Sequence, residues 1–238
     1  MNILTKLCLA AKGFLFPAFC ALCGNGLISI TEVKYGLCEK CKNSIIPVQG
    51  DKCRICGKPL VSEIELCLSC RNRTERSYDR LWVLFPYMGK YRTLLTEYKF
   101  KKKLVLACFF AELITDVILN EPLLKDAVLI PVPPRPGKIK DDGWDQIDYL
   151  FKKLKKSVYD KIIINHCLKR KRSRIQKKLK RTERLENMKG SIVIKGKSPK
   201  TALIIDDVIT TGSTMEVCAQ ILKENGAEKV YGLCIFYD

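Results

Sequence analysis

The chain has 238 residues, with 43 Lys and Arg against 25 Asp and Glu, a formal net charge of +18. Its 47% hydrophobic content suffices for a packed core in one medium domain plus a small one. No run of about eighteen apolar residues occurs, so no membrane span is expected, and the positive surplus points to a polyanionic partner or substrate.

At the amino end, Ile3, Leu4, Leu7, Cys8, Ala11, Phe14 and Leu15 recur at helical spacing. Lys6 and Lys12 interrupt the stretch and no small-residue cleavage site follows, which argues against a signal peptide. Residues 1–16 read as an amphipathic helix packed on the protein, with reversible contact at a membrane surface as the alternative.

Thirteen cysteines follow a strong pattern, eight of them in four CxxC pairs: Cys20/Cys23, Cys38/Cys41, Cys53/Cys56 and Cys67/Cys70. With no secretion signal, zinc knuckles are expected rather than disulfides or a redox pair. The two-residue spacing lets two thiolates meet one ion in a tight turn, and a second pair completes a tetrahedral four-cysteine site. Two successive closed, structural sites are the simplest pairing; interleaved ligation is the alternative. Gly24 and Gly57 each follow a knuckle, where a small residue lets backbone N–H groups curl toward sulfur. Such a short, core-poor module would owe much of its stability to metal. Cys8, Cys108, Cys167, Cys218 and Cys234 sit among apolar neighbours and read as small buried hydrophobes.

Composition changes after a polar linker at 71–79. Strands are predicted at Leu81–Tyr87, Ala127–Val132, Ile162–Ile164, Ser191–Ile194, Ala202–Ile205 and Val230–Phe236. Helical spacing occupies Tyr91–Tyr98, Leu104–Leu119, Trp144–Lys156 and Met215–Asn225, the last closed by Gly226. Strands alternating with helices argue for a right-handed parallel α/β sheet whose ligands sit beyond the carboxyl ends of the strands. The expected division is 1–16, 17–72 and 78–238. Between Lys169 and Arg184 the sequence KRKRSRIQKKLKRTER lacks an apolar period, and is read as a mobile basic hood or a grip on a nucleic-acid backbone. His166, the single histidine, lies beside apolar neighbours and reads as structural.

Near the carboxyl end, Ala202-Leu203-Ile204-Ile205 runs into Asp206-Asp207 and the loop Thr210-Thr211-Gly212-Ser213-Thr214, just before a helix. A small-residue loop opening a helix presents N–H groups and hydroxyls to an anion. Carboxylates beside it repel phosphate but accept from sugar hydroxyls, so the pair suits a phosphorylated ribose. Neither the Walker loop nor the GxGxxG fingerprint is present.

These residues resemble those of type I phosphoribosyltransferases, and the whole chain resembles the ComF/GntX-type proteins. The resemblance rests on the four CxxC pairs, Tyr98-Lys99-Phe100, Pro131-Val132-Pro133, Gly143-Trp144-Asp145-Gln146, then Gln176, Leu179, Arg184 and Asn187, and the DDVITTG run from Asp206 to Gly212. It implies a type I phosphoribosyltransferase-like domain preceded by a small Cys-rich double zinc ribbon. It further implies a phosphoribosyl pyrophosphate (PRPP) site. There Asp206 and Asp207 hold ribose hydroxyls, Thr210, Thr211, Gly212, Ser213 and Thr214 hold the 5-phosphate, and the loop of Pro133, Arg135 and Lys138 faces pyrophosphate. Arg170, Arg172, Arg174, Gln176 and Arg184 are the implied hood or DNA contacts. Asp142 and Asp145 replace the family's Arg and Asn, placing acids beside the expected pyrophosphate. Two structural Zn2+ ions and Mg2+ with PRPP are the expected cofactors. Single-stranded DNA and other uptake proteins at the inner membrane face are the expected partners, at a cytoplasmic or peripheral membrane location. The expected function is phosphoribosyl transfer to some acceptor within natural competence. The alternative is a non-enzymatic, zinc-ribbon nucleic-acid-binding factor on an inherited scaffold.

Overall fold

A computed structural model describes residues 17–62, 64–71, 76–157, 162–171 and 190–238. The expected helix at 1–16 lies outside them. So does most of the basic segment, including Arg172, Arg174, Gln176 and Arg184.

Four parallel strands form the main sheet in the order β1-β6-β5-β2: β1 (Arg80–Pro86), β2 (Val128–Pro131), β5 (Thr201–Ile209) and β6 (Lys229–Tyr237). The predicted 162–164 strand appears as a single parallel bridge, Leu129 to Ile164, at the β2 edge. Each inner strand is an almost unbroken apolar run because helices cover both faces. On β5 the alternation divides the core. Leu203 and Ile205 enter a first cluster with helices α4 (Gly89–Lys99), α5 (Leu106–Asn120) and α7 (Gln146–Ser157). Ala202 and Ile204 enter a second with α8 (Ser213–Glu224).

Two elements depart from the sequence reading. First, β5 does not stop at Ile205. Its ladder with β6 continues through Asp206 opposite Cys234 to Ile209 opposite Tyr237, because β6 is long enough to keep pairing. Second, the basic segment does not begin as a loop at Lys169. β3 (Leu168–Arg170) pairs antiparallel with β4 (Ile192–Ile194), and the buried Cys167, Leu168 and Ile192 tie this hairpin to the second cluster.

The Cys-rich region is not a satellite. Short helices α1 (Ile30–Tyr35) and α2 (Glu39–Ser44) bring Tyr35, Leu37 and Ile45 into the first cluster. There the Tyr35 ring meets Phe109 edge-on at 6.3 Å, and Lys42 pairs with Glu112 at 3.3 Å. A capping box between Ser29 and Glu32 starts α1. The second half, ending in α3 (Leu68–Arg71), packs Ile55 on the second cluster and accepts Leu81 N–H at its carbonyl, 2.9 Å. Cys167, Cys218 and Cys234 are buried as expected, Cys108 is half-buried, and Cys8 lies outside the described residues. Among the described residues no helix is long and apolar enough to cross a membrane.

Candidate functional site

The cysteines converge in two groups, Cys20/Cys23/Cys38/Cys41 and Cys53/Cys56/Cys67/Cys70, with all four sulfurs of each within 4.8 Å of one another. The successive pairing therefore holds. Cys23 and Cys38 sulfurs are 3.7 Å apart, Cys56 and Cys67 sulfurs 3.6 Å. A tetrahedron with Zn–S of about 2.3 Å sets its sulfurs about 3.8 Å apart, so both groups fit zinc. Burial opposes ionisation of Cys20, but N–H groups of Cys23, Cys38 and Leu22 outweigh it and lower the thiol to about 6. Cys53 follows the same pattern, down to about 7, with Cys56, Cys67 and Ile55 donating. Gly24 and Gly57 take left-handed φ of 75° and 68°, turning each chain back on its knuckle.

At the carboxyl end of β5 the chain leaves through Thr210 and Thr211, and Gly212 at φ 76° caps α8. A cavity of about 40 Å³ opens there, lined by Asp206, residues 208–215 and Cys234. Thr211 and Ser213 hydroxyls lie 2.9 Å apart across its mouth. Because β5 continues through both acids, strand alternation sends them to opposite faces. Asp206 faces the cradle. Burial and the adjacent Asp207 carboxylate push its carboxyl well above the usual carboxylate range. Asp207, 4% exposed, turns to the other face. There it accepts from Lys99 Nζ at 2.6 Å and Gln146 Nε2 at 2.9 Å.

Gln146 in turn accepts from Lys138 Nζ, which also pairs with Asp145 at 2.7 Å. Tyr98 fixes the Gln146 backbone, its hydroxyl donating to the carbonyl at 2.6 Å. Asp145 is the N-cap of α7, accepting from Ile147 N–H (2.9 Å) and Asp148 N–H (3.0 Å). Its charge is thus spent on a helix terminus and a lysine rather than on the loop's ligand side. Lys138, half-buried and engaged by Asp145 and Gln146, is absent from the lining of the cavity beside the Pro133 loop. Arg135 lines it, near Asp142 at 3.7 Å with both side chains exposed.

β2 and β5 are neighbours, Pro131 opposite Ile205, so the Pro133 loop and the cradle leave the same edge. Beside the Pro133 loop a cavity of about 740 Å³ is lined by Arg135, Phe151, His166 and Arg170, among others. His166 is exposed on its wall, where its ring lies 6.2 Å from Phe151. Arg170 is half-buried there.

Sequence reasoning missed the roles of Lys99 and Gln146. Both stand in segments that carry the family resemblance, but their target, Asp207, lies 108 and 61 positions away. It also missed Arg76, Ser77 and Glu216, which meet behind the cradle.

A double zinc ribbon family model matches residues 11–71, and a phosphoribosyl transferase domain model matches residues 153–238. The chain is similar to competence protein F of Haemophilus influenzae, 28% identical over 206 residues, covering 83% of this chain and 88% of that protein. It is also similar to competence protein ComFC of Streptococcus pneumoniae, 24% identical over 223 residues, covering 89% and 96%. DNA utilization protein YhgH of Escherichia coli K12 is 24% identical over 230 residues, covering 92% and 96%. Two four-cysteine zinc sites, a parallel sheet and an acid-and-threonine cradle joined in one chain of matching length support a ComF-type family.

Proposed function

We propose that residues 78–238 bind PRPP and that residues 17–72 serve as the zinc-stabilised partner domain of a protein handling incoming single-stranded DNA. The observation that carries the reading is the cradle: a glycine-capped helix start, a hydroxyl-lined loop and one inward acid, at the strand edge shared with the Pro133 loop. Thr210 to Thr214 hold the 5-phosphate through backbone N–H and hydroxyl donors. Asp206 accepts from the ribose hydroxyls, while Asp207 braces the site from the far face through Lys99 and Gln146. Asp206, whose carboxyl burial and the neighbouring Asp207 hold well above the usual carboxylate range, fits a divalent cation arriving with the ligand, and Mg2+ would supply charge neutralisation there. The Pro133 loop and Arg135 face the pyrophosphate, and Lys138 joins them on release from Asp145. Arg170, with Arg172, Arg174, Gln176 and Arg184, forms the basic hood over the ligand and the contact to nucleic acid. The names of the similar proteins support a place in competence or DNA utilization.

Calorimetric titration of the zinc-loaded protein with PRPP and Mg2+ tests this. Micromolar binding is expected, lost on Asp206→Asn. Equal binding by that variant would sink the site assignment. A second reading, ligand-gated DNA handling without transfer, is favoured by the internal pairing of Lys99 and Lys138, which already engage Asp207 and Asp145. Pyrophosphate release over time separates the two.

A further inference from the structure

Among the described residues, four buried side-chain polar atoms lack a hydrogen-bond partner, and three of them cluster at one place: Arg76 Nε, Tyr78 OH and Glu216 Oε2. Native interiors rarely leave such atoms unpaired, and a cluster asks for a reason. The place is behind the cradle. A Cβ on Gly212 would lie 3.4 Å from Arg76 Nη1, and Arg76 Nη1 stands 3.8 Å from Glu216 Oε2. Glu216 Oε1 accepts from both Ser77 N–H (2.8 Å) and Ser77 Oγ (2.7 Å). Glu216 occupies the first turn of α8, its N–H bonded to the Gly212 carbonyl. An acid there favours the helix but opposes an anion at the same terminus.

Arg76 also belongs to the side of the molecule that holds the second cysteine site. Its guanidinium lies 5.5 Å from the Tyr78 ring, and Tyr78 is buried in the same cluster that Ile55 of the second knuckle packs against. Gly57, one residue past the Cys53/Cys56 knuckle, presses against the backbone of Leu81, where a Cβ would meet the carbonyl at 2.3 Å. The second site thus holds the 76–81 segment at its Leu81 end, through Gly57 and the Ile55 carbonyl.

We propose that Arg76 is a positioning residue of the cradle, neutralising Glu216 behind Gly212, and that metal at Cys53/Cys56/Cys67/Cys70 is thereby coupled to the affinity for a ribose phosphate ester. The inference rests on the cradle being a phosphate site. Arg76 does not line the cavity; it acts through Gly212 and Glu216. Removing its charge leaves the Glu216 charge uncompensated behind the helix start, and removing the second metal releases the Leu81 end of the segment that carries Arg76. Binding free energies are linked reciprocally, so ester must raise zinc affinity at that site as much as zinc raises ester affinity.

The test titrates the full-length, zinc-loaded protein with ribose 5-phosphate, and with PRPP plus Mg2+. Arg76→Gln is expected to weaken both on the order of tenfold, with zinc content unchanged. Arg76→Lys should recover most of the loss, and Arg76→Gln with Glu216→Gln should recover it too, since the uncompensated acid is gone. A role confined to folding would instead lower zinc content and the melting midpoint in all three variants alike. In parallel, competition with a chromogenic chelator, with and without saturating ribose 5-phosphate, should show tighter retention of one of the two zinc ions in wild type and not in Arg76→Gln. If wild type binds neither ester, the cradle reading fails and this inference falls with it. If wild type binds and Arg76→Gln binds equally, or ester leaves zinc retention unchanged, only the inference is overturned.

Discussion

The two faces of the sheet carry different burdens, though the sequence writes them in nearly the same letters. On one face, the first cysteine site merges with the main core: Cys20, Tyr35, Leu37 and Ile45 share a cluster with Phe110, Leu150 and Leu203. The same face holds Asp207 in its network with Lys99, Gln146 and Lys138. On the other face, the second cysteine site leans on Leu81, and Asp206 faces the Thr210–Thr214 loop. Strand alternation thus divides the adjacent acids between a face continuous with the first knuckle's core and a face that carries the Thr210–Thr214 loop.

Loss of a metal should expose this division most strongly. Structural zinc in small domains is worth about 10–16 kcal/mol in apparent binding free energy, more than the net stability of most domains. Cys41→Ser is expected to remove native near-ultraviolet circular dichroism, because its site is continuous with the main core. Cys67→Ser should keep that signal and lose ribose 5-phosphate affinity instead. Equal collapse in both variants would break the comparison.

The glycines after the knuckles sharpen it. Gly24 and Gly57 share a left-handed conformation, which alone costs an alanine about 1–2 kcal/mol. A Cβ at Gly24 meets nothing within 4 Å, whereas at Gly57 it would strike the Leu81 carbonyl at 2.3 Å. Gly24→Ala should cost about 1 kcal/mol and Gly57→Ala about 4 kcal/mol, since backbone must move. Chemical denaturation of both variants checks this, and comparable losses would mean that the second knuckle is not wedged against β1.

On the supporting face, Lys99→Met strands Asp207, whose side chain is 6% exposed. Breaking a buried pair costs about 3–5 kcal/mol, and about 3 kcal/mol is expected here because Lys99 is part-exposed and Gln146 still donates. Lys99→Met with Asp207→Asn should restore most of the loss, which a double-mutant cycle reads directly. A small effect of Lys99→Met would move Asp207 from support to ligand binding.

Much of this was legible beforehand for local reasons. The CxxC spacing dictates two sulfurs per ion, the apolar run before Asp206 reads as a two-face-buried strand, and Gly212 before Ser213 marks a helix start. What was not legible depends on pairing across the chain. Whether β5 ends at Ile205 or runs to Ile209 is decided by the length of β6, and that decides whether Asp206 and Asp207 point together or apart. Asp145 is a departure from the family pattern that suggests repulsion of an anion. It becomes an N-cap and a partner of Lys138 only once α7 is placed. Arg76 sits in a linker whose composition promises nothing, and its neighbours Gly212 and Glu216 come from the opposite end of the chain.

The smallest effect tests the acid that faces the Thr210–Thr214 loop. Asp206 sits beside Asp207 in a buried setting that holds its carboxyl well above the ordinary range. A carboxyl whose folded value exceeds its unfolded one binds more protons when folded. Stability is therefore highest below the ordinary carboxylate range, declines as pH climbs through the raised value, and is flat beyond it. Asp206→Asn removes that decline. At neutral pH the variant should be more stable than wild type, with a higher melting midpoint. At pH 4 the two should converge. Lys99→Met has the opposite sign, so the acids of one dipeptide become distinguishable by which way the melting point moves. A residue kept at a cost to stability is one kept for a ligand. If Asp206→Asn instead lowers the midpoint at neutral pH, the inward acid is structural, and the division between the two faces does not run through this pair.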